Sequence, residues 1–315
     1  MKHVFILNPA AGKHQSALDI QPKMEAFFAV NPMEHSFHVT TRPDEATEIA
    51  RRESAEGEVR VYACGGDGTV LEVLNGIAEA PHAELACVPC GSGNDFLRIF
   101  PNSDLFRDPI NLVNGAVQPV DIIRCGDKLS LNICSMGMDA NVAERVVRYK
   151  RLPLVSGSMA YNLALVRTIC GRIVQRYHII METENGRVER EGEYLFALAA
   201  NGQYYGGGFR GAPYAKPDDG LLDFVLIEGV NHLKFLRLVG GYKKGKHPEY
   251  DCCEVFRGTK MQVIAEKPAV VTADGECIPT QDITFSVVPG AVSFVFPAVP
   301  DEDLSRKCKN LPIKA

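Results

Sequence analysis

The sixteen residues Val61-Tyr62-Ala63-Cys64-Gly65-Gly66-Asp67-Gly68-Thr69-Val70-Leu71-Glu72-Val73-Leu74-Asn75-Gly76 constrain this chain more than any other stretch. The lead-in, Val59 to Ala63, reads as a short buried strand. After Thr69, apolar residues at 70, 71, 73, 74 and 77 suit a helix packed on a sheet. The glycines therefore fall at a strand-to-helix turn, where the absence of a Cβ lets a bulky ligand approach the backbone. The amides at such a helix start favour anions. A carboxylate repels phosphate, so Asp67 reads as acting through a metal ion, a water or a ribose hydroxyl. The plain alternative is a βα turn that needs glycine only for sterics.

A second glycine-rich turn follows, Pro89-Cys90-Gly91-Ser92-Gly93-Asn94-Asp95-Phe96-Leu97-Arg98. It comes after an apolar strand, Leu85 to Val88, and reads as opening a helix. Two such turns at the ends of successive parallel strands converge on one crevice.

The first turn resembles the nucleotide signature of the diacylglycerol kinase, sphingosine kinase and NAD kinase superfamily. The second, Gly91-Ser92-Gly93-Asn94-Asp95-Phe96 with Arg98, resembles the second motif of its lipid-kinase branch; NAD kinases resemble the first motif more than the second. Leu71 stands where lipid kinases usually carry asparagine, while Asn75-Gly76 fits the pattern. The strand Val4 to Leu7 runs into Asn8-Pro9-Ala10-Ala11-Gly12-Lys13 and a helix from about Gln15 to Val30. This is not a Walker A loop, whose spacing and Ser/Thr after lysine are missing. In the family it resembles, this turn lines the nucleotide site, and a threonine after the second strand joins it; Thr41 is the choice and Thr40 the alternative. The resemblance thus implies nucleotide contacts from Asn8, Pro9, Gly12, Lys13, Thr41, Gly65, Gly66, Asp67, Gly68, Thr69, Glu72, Gly91, Ser92, Asn94 and Asp95.

At 315 residues two domains are expected. A net charge of −5 gives no broad basic surface for nucleic acid. The apolar run before Asn8-Pro9 is too short for a signal peptide. No uninterrupted apolar run reaches the roughly 18 residues of a membrane span. A cytoplasmic protein is expected, with its ten cysteines reduced. Cys252-Cys253 has no Cys-x-x-Cys partner that would suggest a metal.

Alternating strands and helices through residue 100, with His35 to Thr40 as second strand and Asp44 capping a helix to Glu56, imply a parallel sheet with right-handed crossovers. Residues 101–119 read as a connection with one short helical turn. From Val120 the segments 120–125, 129–134, 177–184, 194–200, 222–228, 261–265, 269–273, 283–288 and 292–296 are short and β-rich, with turn residues such as Glu184-Asn185-Gly186 and Pro289-Gly290 between them. Helices are expected at Asn141–Arg148, Gly157–Val174 and His232–Lys243. The fold class is therefore α/β + β: a parallel, NAD kinase-like nucleotide-binding domain over 1–119, then an antiparallel β-sandwich domain over 120–297. The tail, 298–315, either packs back on the first domain or frays.

Four constellations mark the second half. Asn132 to Ala140 matches the lipid-kinase pattern of asparagine, glycine and Asp139-Ala140. The triple glycine of Asn201 to Pro213 is either a lid over substrate or a long turn. Pro213 to Asp223 packs three carboxylates around a glycine, chemistry that suits a hard cation. The resemblance makes it a magnesium turn, with Asp219 as side-chain ligand and Lys216 and Leu221 lending backbone oxygens. Finally, Asp274-Gly275-Glu276 follows an apolar strand. An acceptor hydroxyl needs a base in line with the γ-phosphate; the resemblance assigns that task to Glu276, with Asp274 as runner-up or as the group that orients it.

The order of these motifs, over about residues 4 to 297, implies a kinase that uses ATP and Mg2+ to phosphorylate a primary hydroxyl of a lipid such as diacylglycerol, a step of phospholipid metabolism. ATP is expected in a crevice between the domains. The lipid must come from a membrane surface, reached through Leu152 to Leu165 or the glycine loop, so peripheral attachment is expected. Edges of the β-rich domain could pair two copies into a homodimer. The alternatives are a sphingoid-base or NAD kinase, and a nucleotide-binding regulatory protein that has lost catalysis.

Overall fold

The computed structural model describes residues 1–12, 17–55, 57–91, 93–150, 152 and 157–298, apart from the side chains at 150, 157, 158 and 161. The chain divides into two units, 1–122 with 289 onwards, and 123–288. The sequence reading closed the first unit at 119 and assigned everything from 120 to 297 to the second.

In the first unit, strand β1 (Lys2–Leu7) leads to helix α1 (Ile20–Val30), β2 (His35–Val39), α2 (Glu45–Ser54), β3 (Val59–Gly65), α3 (Asp67–Ile77) and β4 (Ala83–Pro89). The short α4 (Pro109–Val113) follows, capped by Asp108, whose carboxylate accepts the Ile110 amide at 3.0 Å. β1 pairs in parallel with both β2 and β3, and β3 with β4. β3 is buried along its whole length, as a central parallel strand must be. One residue breaks that apolar run: Arg60, buried, meets Glu84 directly opposite on β4 at 2.6 Å and donates to the carbonyls of Leu112 and Val113. A buried charge is tolerated on such terms.

β5 (Ala116–Cys125) carries the chain into the second unit. There follow β6 (Lys128–Ser130), β7 (Ile133–Gly137), α5 (Met138–Lys150), α6 (Gly157–Ile169), β8 (Gln175–Thr183), β9 (Gly186–Ala200), β10 (Leu222–Glu228), α7 (His232–Lys243), β11 (Cys253–Ala273) and β12 (Glu276–Phe296). The pairings of β6 with β5, of β7, β8 and β10 with β9 and β11, and of β11 with β12 are antiparallel. β9 pairs with β8 along its first half and with β7 and β10 along its second. β11 is shared in the same way between β10, β8 and β7. Both faces of these strands are covered. Ala197, Ala199, Phe224 and Leu226 enter one core with Tyr177 and Phe285, while Phe196, Leu198, Val225 and Ile227 enter another lined by residues of α5, α6 and α7. The alternation is therefore apolar on both sides.

Several expected boundaries move. Segments 261–265 and 269–273 are one strand with a register shift between Ile264 and Ala269. Pro289-Gly290 does not end a strand; β12 runs through it, with Gly290 at φ 56°. Beyond it, Ser293 and Phe294 pair in parallel with Glu84 and Leu85 of β4. Phe294 and Phe296 pack against Phe100 and Phe106, and Ala298 donates to the Asn111 carbonyl at 2.8 Å. That aromatic cluster is why 289–298 belongs to the first unit. Helix α6 stops at Ile169 rather than Val174 because β8 begins at Gln175. Asp44 does not cap α2. It sits at φ 63° with no side-chain cap bond; Glu45 instead takes the amides of Thr41 and Arg42. The second glycine turn opens only a single 3-10 turn, Phe96–Ile99. The expected tail beyond 298, and the start of α1 near Gln15, lie outside the described residues.

Candidate active site

The strand order β2-β1-β3-β4 reverses direction between β1 and β3. In open α/β sheets ligands bind outside the carboxyl ends of the strands at such a switch point. Three of the predicted turns meet there. After β1, the Asn8 amide donates to the Cys64 carbonyl of β3 at 3.0 Å, and the Asn8 side-chain amide reaches Thr69 Oγ1 at 2.9 Å. Its carbonyl accepts from Ala10 N at 3.0 Å, tightening the Asn8–Gly12 bend, where Gly12 takes φ 77°. After β4, the amides of Cys90 and Gly91 both donate to the Gly65 carbonyl, at 2.9 and 3.2 Å.

Asp67 joins the two glycine turns. It is the first residue of α3, and its two carboxylate oxygens accept the backbone amides of Asn94 at 2.8 Å and Asp95 at 2.9 Å. Burial pushes its carboxyl above the usual range, the Asp95 charge adds to that, and the amide bonds oppose it. Asn94, at φ 51°, also donates to the Gly65 carbonyl at 3.2 Å, leaving its buried Oδ1 without a protein partner. The glycines here are spatial necessities. A Cβ on Gly91 would lie 2.7 Å from the Gly66 Cα, and one on Gly93 would lie 2.2 Å from the Asp67 carboxylate. Around Gly68 there is open space. Asp67 therefore holds one glycine turn against the other, a role that the sequence reading did not contain.

Other expected nucleotide residues are placed differently. Thr69 is buried under the Asn8 side chain. Thr41 is exposed and donates its hydroxyl to Glu45 at 3.0 Å, while Thr40 is buried and turned to the Leu7 carbonyl. Glu72 caps another helix: its carboxylate accepts the Ala46 amide of α2 at 3.1 Å. Asp95 is buried and pairs with Arg98 at 2.7 Å. Leu71, in place of the family's asparagine, is core. Pro9 and Gly66 line the same turns, half-buried. Lys13 and Ser92 lie outside the described residues.

In the second unit, Ala273-Asp274-Gly275-Glu276 is a two-residue hairpin between β11 and β12, with Asp274 at φ 47° and Gly275 at φ 94°. Positive φ at both central positions is the reason for Asp-Gly there. Asp274 is not free to act as a base. Its carboxylate accepts the amides of Leu131 at 2.7 Å, Asn132 at 3.2 Å and Ile133 at 2.9 Å. Glu276, next along, is half-exposed and pairs with Lys128 at 3.0 Å. The same corner is reinforced by Asn201, which donates to the Leu131 carbonyl at 2.8 Å, and by Asn132, which donates to the Tyr204 carbonyl at 2.7 Å.

The acidic turn differs from a ready-made cation site. Asp219 Oδ1 accepts the Leu221 amide at 3.1 Å, and Oδ2 pairs with the Arg257 guanidinium. Arg257 also faces Asp223 at 3.4 Å and Glu184 at 3.8 Å. Asp223 is buried, and desolvation raises its pKa to about 6. Among the described residues no group of three His, Cys, Asp or Glu side chains is gathered for a metal. One carboxylate and the carbonyls of Lys216 and Leu221, completed by water, still suit magnesium, provided that the ion takes the place of Arg257. That arginine carried no signal in the sequence.

Asp139, of the Asp-Ala motif, accepts from the Tyr205 hydroxyl at 3.0 Å, which in turn meets the Tyr242 hydroxyl at 2.8 Å. Burial raises the carboxyl of Asp139 and both phenols. This network ties the triple-glycine loop to α7, where Arg210 N also donates to the Lys243 carbonyl.

Comparison with known proteins agrees with this layout. Residues 2–125 match the diacylglycerol kinase catalytic domain, and 132–296 match the YegS C-terminal NAD kinase beta sandwich-like domain. The Bacillus subtilis (strain 168) diacylglycerol kinase is 25% identical over 275 residues, covering 86% of this chain and 88% of its own. A diacylglycerol kinase structure from Bacillus anthracis str. Sterne shares the fold with a TM-score of 0.67 at 20% identity, over 94% of this chain and 96% of that one. The kinase-family relatives, matched over both units, make the class a phosphotransferase with an alcohol group as acceptor. The chain belongs to the diacylglycerol kinase-like lipid kinase family. Among the described residues no helix is long and apolar enough to cross a membrane.

Proposed function

We propose that this protein transfers the γ-phosphoryl group of ATP, with magnesium, to the primary hydroxyl of a lipid such as diacylglycerol. The observation that carries the reading is the interlocked set of turns after β1, β3 and β4. Asn8, Asp67 and Asn94 bind these turns to each other and leave glycine backbone open at the start of α3. Such a surface accepts a polyphosphate through amides and the helix dipole.

Each residue then has a task. Asp67 keeps the two glycine turns in register, so their amides converge. Asp274 fixes the hairpin, and Glu276 at its tip takes the proton of the acceptor hydroxyl. Asp219, with the backbone of Lys216 and Leu221, holds magnesium, which neutralises phosphate charge when bound. Positioning and charge neutralisation supply most of the acceleration, as in other phosphoryl transfers.

The test is transfer from labelled ATP to diacylglycerol, sphingosine and NAD, with and without magnesium. Magnesium-dependent label in diacylglycerol is the expected result. Label in sphingosine or NAD instead would transfer the assignment to those acceptors. Nucleotide binding without label in any of them would refute catalysis.

A further inference from the structure

Helices α5 and α6 pack against each other in the second unit and present an unusual outer surface. The fully buried residues of α6, Ala160, Ala164 and Thr168, are small, and Leu165 and Ile169 pack half-buried against the same core. Three other large apolar residues of the helix face outward. Met159, Leu163 and Val166, spaced i, i+4 and i+7, are 43%, 46% and 60% exposed, and Leu152 is 50% exposed. A surface helix normally keeps its large apolar residues on the packed face, and this one also exposes three of them to solvent. A contiguous apolar stripe of this kind marks a surface that meets something apolar.

Beside the stripe is a cavity of about 470 Å³ lined by Arg145, Arg148, Tyr149, Leu152 and Arg167. Arg145 is held in place: its guanidinium donates to Thr168 Oγ1 at 2.7 Å, and that hydroxyl donates to the Ala164 carbonyl at 2.8 Å. Arg148 and Arg167 are exposed. No carboxylate of the described residues forms an ion pair with any of the three. From 145 to 172 the sequence carries Arg145, Arg148, Lys150, Arg151, Arg167 and Arg172 and not one Asp or Glu, in a chain whose net charge is −5; of these, Arg172 pairs with Glu193 at 2.7 Å. Arg145, Arg148 and Arg167 thus bring positive charge beside the exposed apolar stripe.

We infer that the α5–α6 surface docks on anionic phospholipid: the cavity receives a headgroup phosphate between Arg145, Arg148 and Arg167, and Met159, Leu163 and Val166 enter the acyl boundary. Guanidinium forks match phosphate oxygens in pairs. The apolar lining from Tyr149 and Leu152 suits the glycerol and first methylenes behind that phosphate. Arginine next to exposed aliphatic residues is the composition of interfacial anchors, and charge complementarity selects an anionic leaflet over a neutral one. The docking role rests on the lipid-kinase reading, since it delivers the enzyme to an acceptor that lies in a membrane. The binding itself is measurable without turnover.

The experiment is co-sedimentation of the full-length protein with phosphatidylcholine vesicles, with and without phosphatidylglycerol, beside activity on a short-chain, water-soluble diacylglycerol without vesicles. Wild type is expected on phosphatidylglycerol vesicles, weakening as salt rises, and absent from pure phosphatidylcholine. At about 1 kcal/mol, or roughly fivefold, per basic side chain at the surface, Arg148→Gln with Arg167→Gln lowers vesicle affinity about 25-fold. Leu163→Ser with Val166→Ser lowers it independently through the apolar stripe. Circular dichroism and activity on the soluble acceptor stay at wild type in both. Equal binding to neutral vesicles, wild-type vesicle binding by the arginine variant, or full competition by millimolar inorganic phosphate would each overturn the inference. Vesicle binding that persists in a protein with no activity on any acceptor would sink the kinase reading and leave the docking surface standing.

Discussion

Asp274 and Glu276 are two residues apart and both were candidates for the base, yet the structure gives them opposite environments, and one pair of substitutions separates them. In Asp274→Asn the hairpin itself is unaffected, because Asn-Gly suits two positive-φ positions as well as Asp-Gly does. What changes is the acceptor. Three amides, Leu131, Asn132 and Ile133, now share a carboxylate at 2.7 to 3.2 Å. Asparagine keeps one oxygen and turns a donor toward an amide. Hydrogen bonds to a charged acceptor contribute about 1.5–3 kcal/mol against about 1 for neutral ones, so losing the charge across this set destabilises by roughly 2–4 kcal/mol. In a unit of this size that lowers Tm by roughly 5–15 °C. Glu276→Gln removes only a half-exposed pair with Lys128, which contributes about 0–1 kcal/mol, but turnover falls about 10²–10⁴-fold if the carboxylate is the base. Urea and thermal unfolding, run beside labelled-ATP turnover, give both numbers for both variants. Asp274→Asn with wild-type stability and abolished turnover would move the base to Asp274. Glu276→Gln within a factor of three of wild type would leave the reaction without the base assigned here.

Further predictions address the other clamps. Gly91→Ala forces a Cβ to 2.7 Å from the Gly66 backbone and costs about 1–3 kcal/mol as an overpacked site does, with nucleotide affinity falling in parallel by calorimetry; Gly68→Ala, in open space, leaves stability unchanged and is the control. His247 is fully buried and burial lowers its pKa from 6.5 to about 4. A base depressed in the fold takes its proton first in the unfolded chain, so its contribution is full above pH 6.5 and is lost as pH falls toward 4. Linkage gives about 2 kcal/mol lost by pH 5. Burial also lowers His3 to about 4, so urea midpoints at pH 7.5 and 5 should show both contributions, and His247→Gln should reduce the loss by about 2 kcal/mol. Asp219→Asn should raise the magnesium concentration needed for half-maximal turnover about tenfold, consistent with one charge-assisted contact of roughly 1.5–3 kcal/mol. Arg257→Gln, which removes the guanidinium beside Asp219, should lower it; a shift in the same direction as Asp219→Asn would refute exchange of arginine for the ion.

Local patterns were legible from the amino acids. Gly65 to Thr69 lies at a strand-to-helix turn because three glycines after an apolar run allow little else, and α7 spans His232–Lys243 as its periodicity implies. Sequence order also disclosed the family, since the motifs follow one another over most of the chain. Distant partners were not legible. Asp67 read as a group awaiting a metal or ribose, but its oxygens are taken by amides twenty-seven and twenty-eight residues on. Glu72 read as a nucleotide contact, but it caps α2. Nothing near Asp219 announced Arg257, thirty-eight residues away.

The amino-acid sequence alone determined the two kinds of secondary structure and where glycine had to stand, because these follow from short-range sterics, and the order of its motifs carried the resemblance to the lipid-kinase family. Only the tertiary structure decided that the last strand ends in the first unit, which carboxylates are clamps and which stay exposed, and that the arginines of α5 and α6 share one cavity. Those outcomes depend on burial and on hydrogen bonds between segments far apart in the chain, which no local pattern encodes.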